Sequence, residues 1–150
     1  MVTRGARLGI DVGTVRVGVA ICDPDGILAT PLVTLPRDRA PEGDRPPTDM
    51  ASIARIVAER DIIGVVVGLP VTLAGKEGPA ATLSRRYADQ LAKVIDPVPV
   101  SLADERMSTV AATRRLSERG VRGRRQRAVV DQAAAVEILQ GWLDALRRQT

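Results

Sequence analysis

The order of strand and helix patterns along the 150 residues limits the folds that this chain can adopt. Three strand patterns come first, at residues 8–12, 15–21 and 27–35, and helix and strand patterns alternate after them. Only a Gly-Thr pair at residues 13–14 separates the first two strands, so we expect a tight antiparallel turn there. The unbroken apolar run 62–67 is typical of a strand that is buried on both faces. The order therefore predicts a sheet with an antiparallel half and a parallel half.

Helix patterns fill most of the remaining chain. Thr48 is expected to cap the first predicted helix and Ser108 the third, and Gly120 ends the third. A polar, proline-rich stretch between residues 36 and 47 predicts a mobile loop. The predicted helices, with the strand that lies between the second and the third, cover residues 48–60, 80–94, 97–102, 108–120 and 128–148. The order predicts one α/β domain over residues 1–150, with an RNase H-like mixed sheet and helices on both of its faces.

The composition excludes several kinds of chemistry. The chain has no His and one Cys, which rules out a Ser-His-Asp triad, a His- or Cys-based zinc site and an internal disulfide. Tyr87 and Trp142 are the only aromatic residues, so an aromatic platform for base stacking is not expected. Apolar runs are far shorter than the roughly 20 residues of a membrane helix, and no apolar signal region precedes the first strand. We therefore expect a cytoplasmic protein that uses carboxylates, hydroxyls, Lys or Arg, or a metal.

Positive charge is concentrated in one segment. Residues 106–127 hold eight arginines and a single acid, Glu118, whereas the whole chain has a net charge of only +4. Clustered guanidinium groups suit bidentate contacts with phosphates and the electrostatic attraction of a polyanion. The alternative is a solvated helix face followed by a loop. The residues predicted to contact nucleic acid are Arg16, Arg106, Arg122, Arg124, Arg125 and Arg127.

Asp11 is the first candidate for a functional acid. It lies inside a predicted strand, where Asp is normally depleted, and its neighbours on the same face are Gly9 and Gly13. The next strand places Gly18 and Ala20 on one face, so one interpretation is an open floor that a metal ion and a phosphate can approach. The alternative is that these glycines allow a helix to pack closely and that Asp11 accepts backbone hydrogen bonds.

Two later elements carry further candidates. Asp104 and Glu105 directly follow a predicted strand, at the end where α/β sheets usually place their ligands. Asp131 lies early in the last predicted helix, roughly 60° from the middle of its apolar arc, and so on the side of the sheet. The alternative for each is an ordinary acid near a helix N-terminus, which the helix dipole favours.

The three acids would repel one another if the fold brought them together, unless they held divalent cations. Oxygen ligands alone select Mg²⁺ or Mn²⁺. Two such ions about 3.5–4 Å apart activate water and stabilise the leaving oxygen in phosphodiester hydrolysis, which needs no His. Asp11, the Asp104-Glu105 pair and Asp131 are therefore the candidates for metal ligands and catalytic acids. Arg16 follows the turn near Asp11, where it would either neutralise these acids or contact nucleic acid.

Four motifs in this order resemble the bacterial YqgF/RuvX family. They are Gly9-Ile-Asp-Val-Gly-Thr-Val-Arg-Val-Gly-Val-Ala20, Val67-Gly-Leu-Pro70, Asp104-Glu-Arg-Met-Ser108 and Val130-Asp-Gln-Ala-Ala-Ala-Val-Glu-Ile-Leu139. The resemblance runs from about residue 7 to residue 146. It implies an RNase H-like fold related to the RuvC resolvases and a nuclease activity on structured RNA or branched DNA. Carried over by motif, it implies metal-binding roles for Asp11, Glu105 and Asp131.

The chain departs from the RuvC-type site at one position. That site has a fourth acid one helical turn after the Asp of the last helix, where this chain has Ala134. Asp104 would compensate for the missing fourth carboxylate. The alternative is that the site binds a second metal ion weakly.

Several functional alternatives stay open at this level. The proposed activity is 5′-end processing of pre-16S rRNA, and the alternatives are cleavage of Holliday junctions or binding of nucleic acid without catalysis. The sequence Asp11-Val-Gly-Thr14 also resembles the first phosphate motif of actin-like ATPases, but those enzymes need two such domains. A monomer would suit RNA trimming, whereas a homodimer would suit junction cleavage.

Overall fold

The computed structural model describes residues 3–107 and 124–149, with side chains except those of residues 107 and 124–129. Five strands and three α-helices lie in these ranges. The strands are β1 (Arg7–Val12), β2 (Arg16–Cys22), β3 (Ala29–Pro36), β4 (Gly64–Leu69) and β5 (Val100–Asp104). The helices are α1 (Thr48–Glu59), α2 (Pro79–Val94) and α3 (Arg124–Arg148), and a 3₁₀ turn covers Glu105–Met107.

The strands form one mixed sheet in the order β3-β2-β1-β4-β5. β2 pairs antiparallel with β1 and with β3, while β4 pairs parallel with β1 and with β5. The prediction of an antiparallel half followed by a parallel half is therefore confirmed. The parallel pairs place the C-terminal ends of β1, β4 and β5 at one edge of the sheet.

Helices cover both faces of this sheet, as predicted. On one face α1 and α2 pack through side chains such as Ile53, Tyr87 and Leu91. On the other face α3 packs through residues that include Ile138 and Leu139. The central strands are buried on both sides, which explains the unbroken apolar run in β4.

The structure moves several predicted boundaries. β3 begins two residues later than expected because the carboxylate of Asp23 accepts the amide hydrogens of Ile27 and Leu28, which extends the turn before the strand. β5 starts at Val100 instead of residue 97. α3 begins at Arg124, four residues before the predicted start.

The predicted cap of the first helix is wrong. Pro47 occupies the N-cap position of α1 without a side-chain hydrogen bond, and Thr48 is the first helical residue. The amide of Thr48 instead donates to Oδ2 of Asp38, at 3.1 Å. A carboxylate from the preceding loop thus satisfies a free amide at the start of the helix.

The helix predicted between Ser108 and Gly120 lies outside the described residues. Within the part of the chain that the structure describes, no helix is long and apolar enough to cross a membrane.

Candidate active site

One row of residues crosses the centre of the sheet at the candidate site. Asp11 of β1 is paired with Gly18 of β2 in the antiparallel register. On the other side of β1, Ile10 lies opposite Val67 of β4 in the parallel register. Continuing that register by one residue places Asp11 beside Gly68. Because directly paired residues point to the same face of a sheet, Gly18, Asp11 and Gly68 share one face.

Helix α3 lies directly on this face, and two glycines make room for it. A Cβ on Gly9 would lie 2.6 Å from Cβ of Leu139, and a Cβ on Gly18 would lie 2.2 Å from the carbonyl oxygen of Asp131. The interpretation of Gly9 and Gly18 as an open floor beside Asp11 is therefore wrong. The alternative, close helix packing, is what the structure contains, and it brings the backbone of Asp131 onto the sheet.

Two of the predicted acids are buried together on this row. Asp11 is 7% exposed and Glu105 is 8% exposed. Glu105 begins the 3₁₀ turn after β5, and its Oε1 lies 3.1 Å from the place where a Cβ on Gly68 would be. Adjacent strands are about 4.8 Å apart, so the carboxylate of Glu105 lies over the position next to Asp11. Residues 94 positions apart in sequence thus meet at the edge where the parallel strands end.

Asp131 lies at the other end of the row and has a cationic partner. Its Cβ is 3.2 Å from the position of a Cβ on Gly18, so Asp131 lies against the sheet as its helical position predicted. The Nε of Arg16 donates to Oδ2 of Asp131 at 2.8 Å. The two side chains are 26% and 24% exposed, so solvent reaches this ion pair. Arg16 therefore neutralises an acid of the site, which is one of its two predicted roles.

The ligand atoms of the three candidate acids are of the type that a hard divalent cation prefers. The three carboxylates come from β1, from the turn after β5 and from α3, over a row that spans roughly 10 Å between its outer strands. Carboxylate oxygens are the ligands that Mg²⁺ and Mn²⁺ prefer. Among the described residues, no three His, Cys, Asp or Glu side chains are grouped closely enough to hold an ion. A cation held by all three carboxylates would have to draw them closer together, and Asp131 would then share its carboxylate with Arg16 or exchange this partner.

Asp104 is turned toward an arginine of its own segment. Both its oxygens accept hydrogen bonds from the guanidinium of Arg106, at 2.5 to 3.1 Å. These hydrogen bonds lower the pKa of Asp104 below its usual value of 3.8. Arg106 also donates from Nη1 to the carbonyl oxygen of Leu73, at 3.4 Å. The carboxylate of Asp104 is thus engaged by Arg106, while Ala134, at the position of the missing fourth acid, is buried in the α3 core.

The other predicted nucleic-acid contacts lie at the limit of the described chain. Arg122 lies outside the described residues. Arg124, Arg125 and Arg127 belong to the first turns of α3, of which the structure describes the backbone. The basic segment therefore leads directly into the helix that carries Asp131.

A buried polar network on the opposite face was not predicted. The hydroxyl of Tyr87 donates to Oδ2 of Asp49 at 2.6 Å, and the amide of Asp38 donates to Oδ1 at 3.0 Å. Burial, and then the hydrogen bond to Asp49, raise the pKa of Tyr87 far above its usual value. Arg37 stacks on the Tyr87 ring at 5.2 Å and donates from Nη1 to the carbonyl oxygen of Gly13. Arg37 thereby ties this network to the turn that follows Asp11.

The sequence contains only weak signals of this network. Asp49 reads as an ordinary acid in the first turn of a helix, and Tyr87 as a core aromatic residue. The contacts between them join residues 38 positions apart. The proline-rich loop that holds Arg37 and Asp38 was expected to be mobile, yet both residues are anchored at its start by hydrogen bonds.

Comparison of the sequence with protein families identifies its relatives. The sequence profile of the RuvX family, described as Holliday junction resolvase, matches residues 5–145. A protein of Rhodococcus jostii (strain RHA1) is 55% identical over 145 residues, which cover 97% of this chain and 80% of that protein. A protein of Nocardia farcinica (strain IFM 10152) is 57% identical over 142 residues, covering 94% of this chain and 78% of the relative. Both carry the name "Putative pre-16S rRNA nuclease".

Solved structures with a similar fold include RuvC of Thermus thermophilus. In its complex with a Holliday junction substrate, that protein matches with a TM-score of 0.58 and 15% identity, over 97% of each chain. A second T. thermophilus RuvC structure matches with a TM-score of 0.51 and 14% identity, over 95% of this chain and 96% of the other. At this level of identity the match shows the fold alone, which is the RNase H-like fold expected from the sequence.

Proposed function

We propose that this chain, which belongs to the RuvX family, is a metal-dependent nuclease that hydrolyses phosphodiester bonds in the 5′-end processing of pre-16S rRNA. The substrate is suggested by the shared name of relatives that are 53–57% identical to the chain. The observation that carries the proposal is the meeting of Asp11 and Glu105 over Gly68, beside the helix that holds Asp131.

Two buried carboxylates on one row of the sheet suit a divalent cation. Burial penalises the charged form of each carboxylate, and a second negative charge nearby adds repulsion. A divalent cation between them offsets both effects, so we assign Asp11, Glu105 and Asp131 as its ligands. Mg²⁺ or Mn²⁺ would supply Lewis-acid activation of water and stabilisation of the leaving oxygen.

Arg16 holds the side chain of the third proposed ligand, Asp131, through a hydrogen-bonded ion pair. A partly exposed ion pair of this kind contributes about 1 kcal/mol or less. The pair is therefore weak enough to open when a divalent cation or a phosphate competes for its members. On release from Asp131, the guanidinium of Arg16 would be available to a substrate phosphate.

We assign the remaining phosphate contacts to arginines that lie between or beside the candidate acids in the sequence. Arg106 lies one residue after Glu105, and the basic segment precedes the helix of Asp131. Guanidinium groups neutralise the backbone of a nucleic acid without reading its bases. The proposed contacts are Arg16, Arg106, Arg122, Arg124, Arg125 and Arg127. We take residues 1–150 as one nuclease domain that acts in the cytoplasm as a monomer or a homodimer.

Two other functions have specific support. Cleavage of four-way DNA junctions is favoured by the description of the RuvX family. Binding of nucleic acid without cleavage is favoured by Ala134 in place of a fourth acid and by the Arg16–Asp131 ion pair. One set of assays separates the three functions.

The experiment compares a pre-16S rRNA 5′ leader with a four-way DNA junction, each in Mg²⁺ and in Mn²⁺. We expect the wild-type protein to cleave the rRNA, and Asp11→Asn to reduce the rate at least about 100-fold, since loss of groups that only support a metal ligand already costs 10–100-fold. Asp44→Asn, which removes an exposed acid of the proline-rich loop, is the matched control and should leave the rate unchanged.

Binding is measured in parallel by anisotropy in EDTA. Asp11→Asn should bind the rRNA as tightly as the wild type. Cleavage of the junction without cleavage of the rRNA would mean that the protein is a DNA junction nuclease. If the protein cleaved neither substrate but still bound them, it would be a nucleic-acid-binding protein with a nuclease fold and no catalytic activity.

A further inference from the structure

Arg7, at the start of β1, is a buried cation. It is 9% exposed. Its guanidinium lies 5.4 Å from the centre of the Trp142 ring, and Nη2 donates to the carbonyl oxygen of Thr3 at 3.2 Å. Among the described residues it forms no ion pair with a carboxylate, whereas Arg16 and Arg37, with side chains 26% and 17% exposed, both do. Burying a charge without a counter-ion is costly, so the surroundings of Arg7 favour an anion.

A cavity of about 250 Å³ opens beside this arginine, between α3 and the β4–β5 half of the sheet. Arg7 lines it together with the Trp142 ring and the hydroxyl-bearing residues Thr3 and Ser101. Ser101 is opposite Val66 in the register, which places it on the α3 face. None of the described residues that line the cavity is acidic. The lining therefore combines one cation, hydroxyl groups and a flat aromatic wall.

The cavity adjoins a second cavity that reaches the candidate active site. A second cavity of about 210 Å³ shares Trp142 with the first and extends to Asp104 and Glu105. Ser101 lines the first cavity and Leu102 the second, so the two follow each other along β5. At about 3.3 Å per residue, Ser101 and Glu105 are roughly 13 Å apart along the strand.

We propose that Arg7 and Trp142 form a phosphate-binding subsite in this cavity. A guanidinium binds phosphate through two parallel N–H···O hydrogen bonds, and hydroxyl groups add donors. The tryptophan ring offers an apolar surface to the sugar or base that the phosphate carries. The phosphate belongs to a nucleic-acid strand that extends through the second cavity toward Glu105, an assignment that rests on the proposed nuclease function, or to a free nucleotide.

Trp142 is the only tryptophan in the chain, so tryptophan emission reports on the two cavities that it lines, and the Arg7 variants show which response comes from the first. The protein is titrated in EDTA and at constant ionic strength with inorganic phosphate, a nucleoside monophosphate and a short single-stranded oligoribonucleotide. We expect a saturable change of emission in the wild type. Arg7→Gln should weaken the apparent affinity at least about tenfold, the effect of losing a charged hydrogen bond.

Arg4→Gln is the matched control. Arg4 precedes Arg7 by three residues, is exposed and pairs with Asp25, so its loss should change the affinity less than twofold. Arg7→Lys keeps the charge without the guanidinium fork and should give an intermediate affinity. Circular dichroism checks that each variant is folded, and if Arg7→Gln unfolds, the comparison of Arg7→Lys with Arg4→Gln decides.

The outcomes separate this subsite from the nuclease activity, since no metal is present. A response to all three probes supports a subsite for a strand phosphate, and a response to phosphate and monophosphate without the oligonucleotide assigns it to a free nucleotide. Absence of a saturable response in the folded wild type, or equal affinities for the Arg7 variants and Arg4→Gln, would make Arg7 a structural residue only. Cleavage of rRNA would then still stand by itself.

Discussion

The two faces of the sheet bury acidic side chains in opposite ways. On the face of α1 and α2, Asp49 is 2% exposed and accepts hydrogen bonds from Tyr87 and from the amide of Asp38. These partners come from the packed elements themselves, so the carboxylate completes the fold. On the face of α3, Asp11 and Glu105 are almost as deeply buried, and the carboxylate of Glu105 lies over Gly68, the residue beside Asp11 in the sheet. There the packing brings two carboxylates to one row of the sheet.

Burial alone therefore does not mark a functional acid in this protein. Hydrogen-bond donors around a carboxylate favour its charged form, whereas a second carboxylate nearby opposes it. The Arg16–Asp131 ion pair differs from both buried sites, because solvent reaches it. The difference between the faces can be tested by removing one charge from each.

The largest expected effects come from neutralising Asp49 or Glu105. Asp49→Asn breaks a buried hydrogen-bonded charge and should lower the free energy of unfolding by about 3 kcal/mol. Glu105→Gln should change it by less than about 1 kcal/mol in EDTA, since it also relieves repulsion, yet should reduce cleavage at least about 100-fold. Urea denaturation and rRNA cleavage measure the two quantities. If Glu105→Gln were as destabilising as Asp49→Asn and still active, the distinction between the faces would fail.

The close approach of α3 to the sheet gives the next largest effect. Gly18→Ala would bring a methyl group to 2.2 Å from the carbonyl oxygen of Asp131, so the helix must shift. Overpacking of this kind costs about 1–3 kcal/mol and should also reduce cleavage, because Asp131 moves with the helix. Gly78→Ala is the control, since a Cβ there meets nothing within 4 Å. Equal unfolding midpoints in urea for the two variants would contradict the packing described for α3.

A smaller effect is expected from the ion pair of Arg16. Arg16→Gln removes the protein's own cation from Asp131, so a divalent cation no longer competes with it. The affinity for Mn²⁺, measured by isothermal titration calorimetry, should rise about fivefold, which corresponds to about 1 kcal/mol for a partly exposed pair. Arg85→Gln, which breaks an exposed ion pair with Glu77, should leave the affinity unchanged. A lower affinity in Arg16→Gln would mean that Arg16 orients Asp131 for the cation and does not compete with it.

The smallest expected effect is on how the free energy of unfolding changes at low pH. Hydrogen bonds from Arg106 lower the pKa of Asp104 in the folded state, so the folded protein holds its proton less tightly than the unfolded chain. The resulting stabilisation is present above the usual pKa of 3.8 and is lost as the pH falls through the lower, folded value. Asp104→Asn should therefore reduce the urea midpoint slightly at pH 7, and the difference should shrink in acid. A difference that stays constant from pH 7 to pH 2 would exclude this contribution.

The sequence predicts the architecture well because its signals are local. Alternation in β1 and β2, the apolar run of β4 and the chain order are enough to predict a mixed sheet with helices on both faces. Element ends are less predictable, because they depend on partners from elsewhere: Asp38 satisfies the amide of Thr48, and Asp23 extends the turn before β3.

The candidate acids are also visible in the sequence, but their arrangement is not. Asp11, Glu105 and Asp131 stand out by their positions at strands and on a helix face. Glycines next to Asp11 are compatible with a sheet surface that is open to a ligand and with one that a helix covers. A single sequence does not distinguish these two arrangements. The direction of Arg16 depends on which acid its long side chain reaches, a contact across 115 residues.

By itself, the order of residues predicted the class of fold, excluded His-based chemistry and singled out the candidate acids. Tertiary structure alone decided that α3 covers Gly9 and Gly18, that Glu105 lies beside Asp11 and that Arg16 holds Asp131. The physical reason is the distance along the chain between the residues that interact. Strand and helix patterns arise from neighbours in the chain, whereas the charge around a buried carboxylate is set by groups that only the folded packing brings within a few ångströms of it.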